Sequence, residues 1–248
     1  MNDQKNQLIL DRVTVRRQHD FLLGPIDLTF DGGNAYAFIG ENGSGKSSLL
    51  SCIYGEIPAD GSIHWNGCDV QGLAPFELPF TYVRQDFPLL EMYSVKETLL
   101  LSHAFSVALD SGQSVSSPLK YFKSISATCQ QRAEHIAAMI GLGALLNRRL
   151  TDLSGGQRQR VAIAASLAAK GKCVIFLDEP TSALGNVETL KLLAALQFRL
   201  GEPDAPVIIF ATHDLDFVEQ LKPVKVIFSR ETNDLDTSES RAYIVSKK

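Results

Sequence analysis

The stretch AFIGENGSGKSSLL, from Ala37 to Leu50, constrains the fold more than any other. A short apolar run ends at Gly40, and a helical pattern begins at Lys46. The residues between them are small and leave the backbone bare. Glycine lets successive N–H groups turn toward one point without a Cβ in the way. Those donors and the first turn of the following helix form a nest for an anion. Gly40, Gly45, Lys46 and Ser47 match G-x-x-x-x-G-K-[ST], the phosphate-binding P-loop. In that reading Gly40, Glu41, Asn42, Gly43, Ser44, Gly45 and Ser48 cradle the phosphates of ATP. Lys46 places a charge on the β- and γ-phosphates, and Ser47 offers its hydroxyl to Mg²⁺. Such a loop needs a strand before it and a helix after it, so the chain is committed to an α/β core.

The rest of the chain agrees. The runs AYAFI before Gly40, CVIFL at 173–177, VIIFA at 207–211 and VKVIF at 224–228 are apolar without alternation. Uninterrupted apolar strands suit a parallel sheet covered on both faces. Helical patterns lie between them: KSSLLSCIY, QRQRVAIAASLAAK with a stop at Gly171, and NVETLKLLAALQFRL with a stop at Gly201. Residues 7–35 and 60–70 carry period-two segments and turn signals, which predict an antiparallel β layer beside the core. Residues 87–165 are mostly helical in pattern, with a loop at 110–118, and predict a helical subdomain inserted into the core.

Composition excludes several classes. A net charge of −4 gives no general reason to expect nucleic-acid binding. The N-terminus has no basic region followed by an apolar core, so no signal peptide is expected. HIAAMIGLGALL is too short to span a bilayer. Cys52, Cys68, Cys129 and Cys173 show no C-x-x-C pairing, and reduced, metal-free cysteines of a cytoplasmic protein are expected.

A second constellation is VIFLDEPTSALG at 174–185, an apolar strand ending in two acids. Ligands of open α/β sheets sit at the carboxyl ends of strands. Beside a P-loop, Asp178 is placed to orient Mg²⁺ through water. Glu179 is placed to take a proton from an attacking water. Alone, the same residues read equally well as a solvated acidic turn.

LSGGQRQR at 153–160 completes the pattern. Ser154 is a candidate helix N-cap, with Gly155 and Gly156 opening the first turn. Together with the P-loop and LDEP, it resembles the nucleotide-binding domain of ABC transporters, and the resemblance covers essentially the whole chain. It implies one ABC ATPase domain over 1–248: a P-loop NTPase core with a mostly parallel sheet, the antiparallel layer and the helical subdomain. It implies that Ser154, Gly155, Gly156 and Gln157 serve the ATP held by another subunit's P-loop, so that two ATPs are sandwiched in a head-to-tail dimer. The second subunit is the same chain or a paralogue. Gln85 falls at the Q-loop position, where the family touches Mg²⁺ and senses the membrane domain. His213 in FATHD matches the switch histidine at the γ-phosphate. His19, His64, His103 and His135 lack such context and read as surface or packing residues. The resemblance further implies separate membrane-spanning subunits, contacted through FPLLEMYSV, and a location at the inner face of the membrane.

Two positions depart from the family. Where many relatives stack an aromatic residue on adenine, this chain reads VRRQHDF, with Arg17 nearest by spacing and His19 and Phe21 close. Gly185 stands where an aspartate usually follows SAL. Glu179 and His213 are intact, so an active transport ATPase is the expectation. The alternatives are a non-transport ABC ATPase, which usually carries a long coiled coil or a second ATPase domain, and a low-turnover regulatory subunit.

Overall fold

A computed structural model describes residues 6–17, 21–85, 89, 91–110, 125–171, 173–231 and 240–247. Strands β1 (Gln7–Arg17), β2 (Phe21–Asp31) and β3 (Ala35–Ile39) precede helix α1 (Lys46–Ile53). Strands β4 (Ala59–Trp65), β5 (Cys68–Asp69) and β6 (Phe80–Val83) follow. Then come helices α2 (Val95–Asp110), α3 (Ala127–Met139) and α4 (Gly155–Ala168). The remainder alternates as β7 (Val174–Asp178), α5 (Asn186–Leu200), β8 (Val207–Ala211), α6 (Leu215–Leu221), β9 (Val224–Glu231) and β10 (Ser240–Lys247).

The four apolar runs become β3, β7, β8 and β9, with only Cys173 left outside its strand, and β9-β3-β8-β7-β6 is parallel at every pairing. Their side chains divide between two cores. Ala37, Ile175, Leu177, Ile208 and Phe210 pack on one face with α2 to α6. Phe38, Phe176 and Ile209 pack on the other with α1, β1 and β2. Both faces are dry, so neither tolerates the polar residue that alternation would bring.

The antiparallel part is present, with order β5-β4-β1-β2. It differs from the expected layer in one respect: it belongs to the same sheet as the core. β10 joins the two, parallel to β2 over Ser240–Ala242 and antiparallel to β9. The sequence around β10 carried no signal of that bridging place.

Helix α4 also stops before the expected Gly171, and a set of buried side chains explains why. The Ala168 carbonyl faces His103 Nδ1 at 3.0 Å and accepts from Arg132 Nε at 3.4 Å. The Ala169 carbonyl accepts from Arg199 Nη2 at 3.2 Å. Carbonyls at a helix end need partners, and here side chains from α2, α3 and α5 supply them. Arg132 and Arg199 converge on Glu202, with Arg199 Nη1 2.8 Å from Glu202 Oε2. Arg199 is 1% exposed, so its charge depends on these partners. Removing Glu202 takes the carboxylate that Arg132 is bonded to and leaves Arg199 with only the longer pair to Asp204 Oδ1, at 3.4 Å. Glu202→Ala is therefore expected to cost about 3 kcal/mol of stability, read from urea unfolding. A loss under about 1 kcal/mol, the range of an exposed pair, contradicts this account.

Candidate functional site

The P-loop bridges β3 and α1. Gly45 takes φ +100° and is the residue before the first turn of α1. At Gly40 a Cβ would lie 2.6 Å from the Phe228 carbonyl oxygen, so β9 excludes any side chain there. Lys46 is 6% exposed and donates to the carbonyls of Gly40 and Glu41, both at 2.8 Å. Burial lowers the Lys46 pKa, opposed by the negative charges of Glu179 and Asp178. Ser44 is buried and its Oγ has no hydrogen-bond partner among the described residues.

The strands bring distant residues to this loop. β7 is next to β8, and β8 is next to β3, so the ends of β7 and β8 lie beside the P-loop. Ser47 Oγ donates to Asp178 Oδ1 at 3.1 Å, and the Tyr82 hydroxyl donates to Asp178 Oδ2 at 3.4 Å. Burial raises the Asp178 pKa, opposed by the Ser47 hydrogen bond and reinforced by Glu179. Glu179 has φ +50°, and its N–H donates to the Ala211 carbonyl at 2.9 Å. Its Oε2 lies 2.9 Å from His213 Nδ1 and accepts from Thr212 Oγ at 3.4 Å.

A cleft of about 530 Å³ results. Asn42, Gly43, Gly45, Lys46, Ser47, Ser48, Gln85, Asp178, Glu179, Ser182 and His213 line it. Of the residues expected from the sequence, Gly40, Glu41 and Ser44 belong to the loop without lining the cleft, and Ser154, Gly155, Gly156 and Gln157 do not line it at all. They open α4 instead. Ser154 is the N-cap: its Oγ accepts from the Gln157 N–H at 3.3 Å, and Gln157 Oε1 accepts from the Ser154 N–H at 2.9 Å. Gly185 precedes α5 without a side-chain cap, where an aspartate could have supplied one. The side chains of Arg17, His19 and Phe21 lie outside the described residues, as do most of the expected 110–118 loop and Phe87, Pro88 and Leu90 of FPLLEMYSV.

Sequence reasoning passed over Thr212, Ser182 and Tyr82. Each is within three residues of a motif position, which was the available signal. The residues suit a magnesium nucleotide. The buried Ser44 hydroxyl, which has no hydrogen-bond partner among the described residues, and the glycine cradle are the donors that phosphate oxygens require. Ser47 and Asp178 offer oxygen to a hard cation of the kind held by one or two protein ligands and substrate phosphates.

A second cleft, of about 520 Å³, is apolar and lies away from these residues. Tyr54, Phe76, Phe80, Tyr93, Leu101 and Phe105 contribute its walls. Among the described residues, no helix is long and apolar enough to cross a membrane.

Comparison with known proteins places this geometry in context. A family profile described as "ABC transporter" matches residues 23–182. The thiamine import ATP-binding protein ThiQ of Haemophilus influenzae is 31% identical over 210 residues, covering 84% of this chain and 90% of that protein. ThiQ of Vibrio cholerae is 32% identical over 209 residues, covering 84% of this chain and 79% of that one. A solved structure described as the ATP binding subunit of an ABC transporter superposes with a TM-score of 0.70 at 22% identity, covering 89% of this chain and 85% of that one.

Proposed function

The chain belongs to the ABC transporter family of ATPases coupled to transport, and we propose that it is the ATP-hydrolysing subunit of an importer, docked on separate membrane-spanning subunits. The observation that carries this reading is the meeting of Lys46, Ser47, Asp178, Glu179 and His213 in one cleft. Inward transport is supported by the names of the two relatives, both thiamine import proteins.

Each side chain then has a task. The P-loop N–H groups and Lys46 bind the phosphates, Lys46 leaving its present carbonyl partners to do so. Ser47 and Asp178 would hold Mg²⁺, with Gln85 at the open side; the ion supplies charge neutralisation between the phosphates. Glu179 accepts a proton from the water that attacks the γ-phosphorus, and His213 contacts the γ-phosphate. The bond from the γ-phosphorus to the bridging oxygen breaks, and ADP leaves with the electron pair. Ser154, Gly155, Gly156 and Gln157 lie outside their own chain's cleft, which supports their use by a second subunit in a head-to-tail dimer. Residues 1–248 act as one domain, with 87–165 as the helical arm carrying LSGGQ toward the partner.

The apolar cleft suits the membrane subunit, at the inner face of the membrane. Phe76 at its rim is 70% exposed. Phosphate release from ATP, measured with and without the membrane subunit, tests the reading. Turnover that depends on Mg²⁺ and responds to the membrane subunit is expected; binding without turnover in both settings overturns it. Phe76→Glu should leave the basal rate unchanged and weaken capture of the membrane subunit by roughly tenfold or more, the scale of a lost aromatic anchor. Capture at parental affinity excludes this cleft as the docking site.

A further inference from the structure

Gln159 sits on α4, just past LSGGQ, and is 3% exposed. Its Nε2 donates to the carbonyl oxygen of Glu179 at 3.3 Å. The same carbonyl accepts from Ser182 Oγ at 2.9 Å. Gln159 Oε1 is buried and has no hydrogen-bond partner among the described residues. A second contact ties the same two segments. A Cβ on Gly156 would lie 2.9 Å from the Ala183 carbonyl oxygen, so the first turn of α4 lies directly on the 180–183 turn. Glu179 itself is held at φ +50°, a conformation that a non-glycine residue keeps only when its neighbours enforce it.

We propose that Gln159 is a positioning residue that locks the Glu179 peptide to the helix opened by LSGGQ, so that closure of LSGGQ over a partner's ATP sets the carboxylate at the chain's own ATP. This rests on the head-to-tail reading above. It goes beyond it by giving the two sites a physical link within one chain. The half-satisfied amide supports two arrangements. A buried amide oxygen without a donor carries an unmet desolvation cost, and a shift of α4 that brings a donor to Oε1 removes it. An element with two arrangements, biased at both ends, is what coupling between sites requires.

The test uses the chain assembled with its membrane-spanning subunits, so that two copies are paired, with ATP and Mg²⁺. Gln159→Met keeps the volume and removes both polar atoms, so the fold should survive. Gln159→Glu keeps the shape and replaces the donor with a carboxylate, and it serves if the methionine variant does not fold. The expected result has three parts. ATP affinity stays at the parental value. The maximal rate falls by roughly tenfold, the scale of a lost hydrogen bond at a positioned group. The Hill coefficient for ATP, above one in the parental chain, falls toward one. A folded variant with parental rate and parental Hill coefficient overturns the proposal, as does a parental Hill coefficient of one. Glu179→Gln separates the two levels. If it retains the parental rate, the catalytic reading itself fails. If it is inactive while Gln159→Met and Gln159→Glu are fully active, only the link fails.

Discussion

Glu179→Gln is expected to bind ATP normally and to hydrolyse it roughly a hundredfold or more slowly, the scale of a lost general base. An amide has nearly the shape of a carboxylate but does not accept a proton at neutral pH. The substitution also removes a negative charge beside Lys46 and Asp178, which does not weaken a nucleotide that is itself anionic. The backbone contacts that hold Glu179, from its own N–H to Ala211 and from Gln159 and Ser182 to its carbonyl, do not involve the side chain. The fold should therefore be preserved. Single-turnover phosphate release with saturating ATP and Mg²⁺ reads the effect, and release at the parental rate removes Glu179 from the chemistry.

Lys46→Ala should act earlier, at binding. The ammonium is buried and already desolvated in the cleft, where burial lowers its pKa. Its two carbonyl partners belong to the loop itself, and a phosphate is a better partner for a buried cation than either. Losing a hydrogen bond to a charged group costs roughly 1.5–3 kcal/mol, or about tenfold to a hundredfold in ATP affinity. Turnover should fall to background. Equilibrium binding of a fluorescent ATP analogue, with the thermal midpoint as a control for folding, checks this. Unchanged affinity and rate in a folded variant contradict the phosphate role.

Much of this site was legible in the sequence because its parts are local. The GENGSGKSS loop, LDEP and LSGGQ each hold their residues within a few positions, and each carries its own backbone logic. The core strands were legible for a different reason. Ile175 and Phe176 face opposite sides of the sheet, and both sides are dry, so the run has no polar interruption. What escaped depends on contacts between distant segments. Nothing near Arg132 or Arg199 announces that they meet at Glu202 and close the end of α4. Gln159 looks like one more polar residue in a helix until α4 is laid against the Glu179 turn. The apolar cleft draws on Tyr54, Phe76, Tyr93 and Phe105, which no local pattern joins. The expected contact segment FPLLEMYSV contributes Tyr93 to it, while Phe87, Pro88 and Leu90 fall outside the described residues.

The composite site is the claim on which the rest of the account turns. Its most direct test is the oligomeric state of Glu179→Gln, measured by size-exclusion chromatography with light scattering in ATP and Mg²⁺, for the isolated chain and for its complex with the membrane subunits. Stalled before hydrolysis, this variant should accumulate as a nucleotide-bound dimer. Adding Ser154→Arg should abolish that dimer, because the bulky side chain blocks close approach of the LSGGQ backbone to the partner's phosphates. The account predicts dimers for Glu179→Gln and monomeric, ATP-binding chains for the double variant. Glu179→Gln that binds ATP without pairing its ATPase subunits in either setting, or a double variant that pairs as well as the single one, would contradict it.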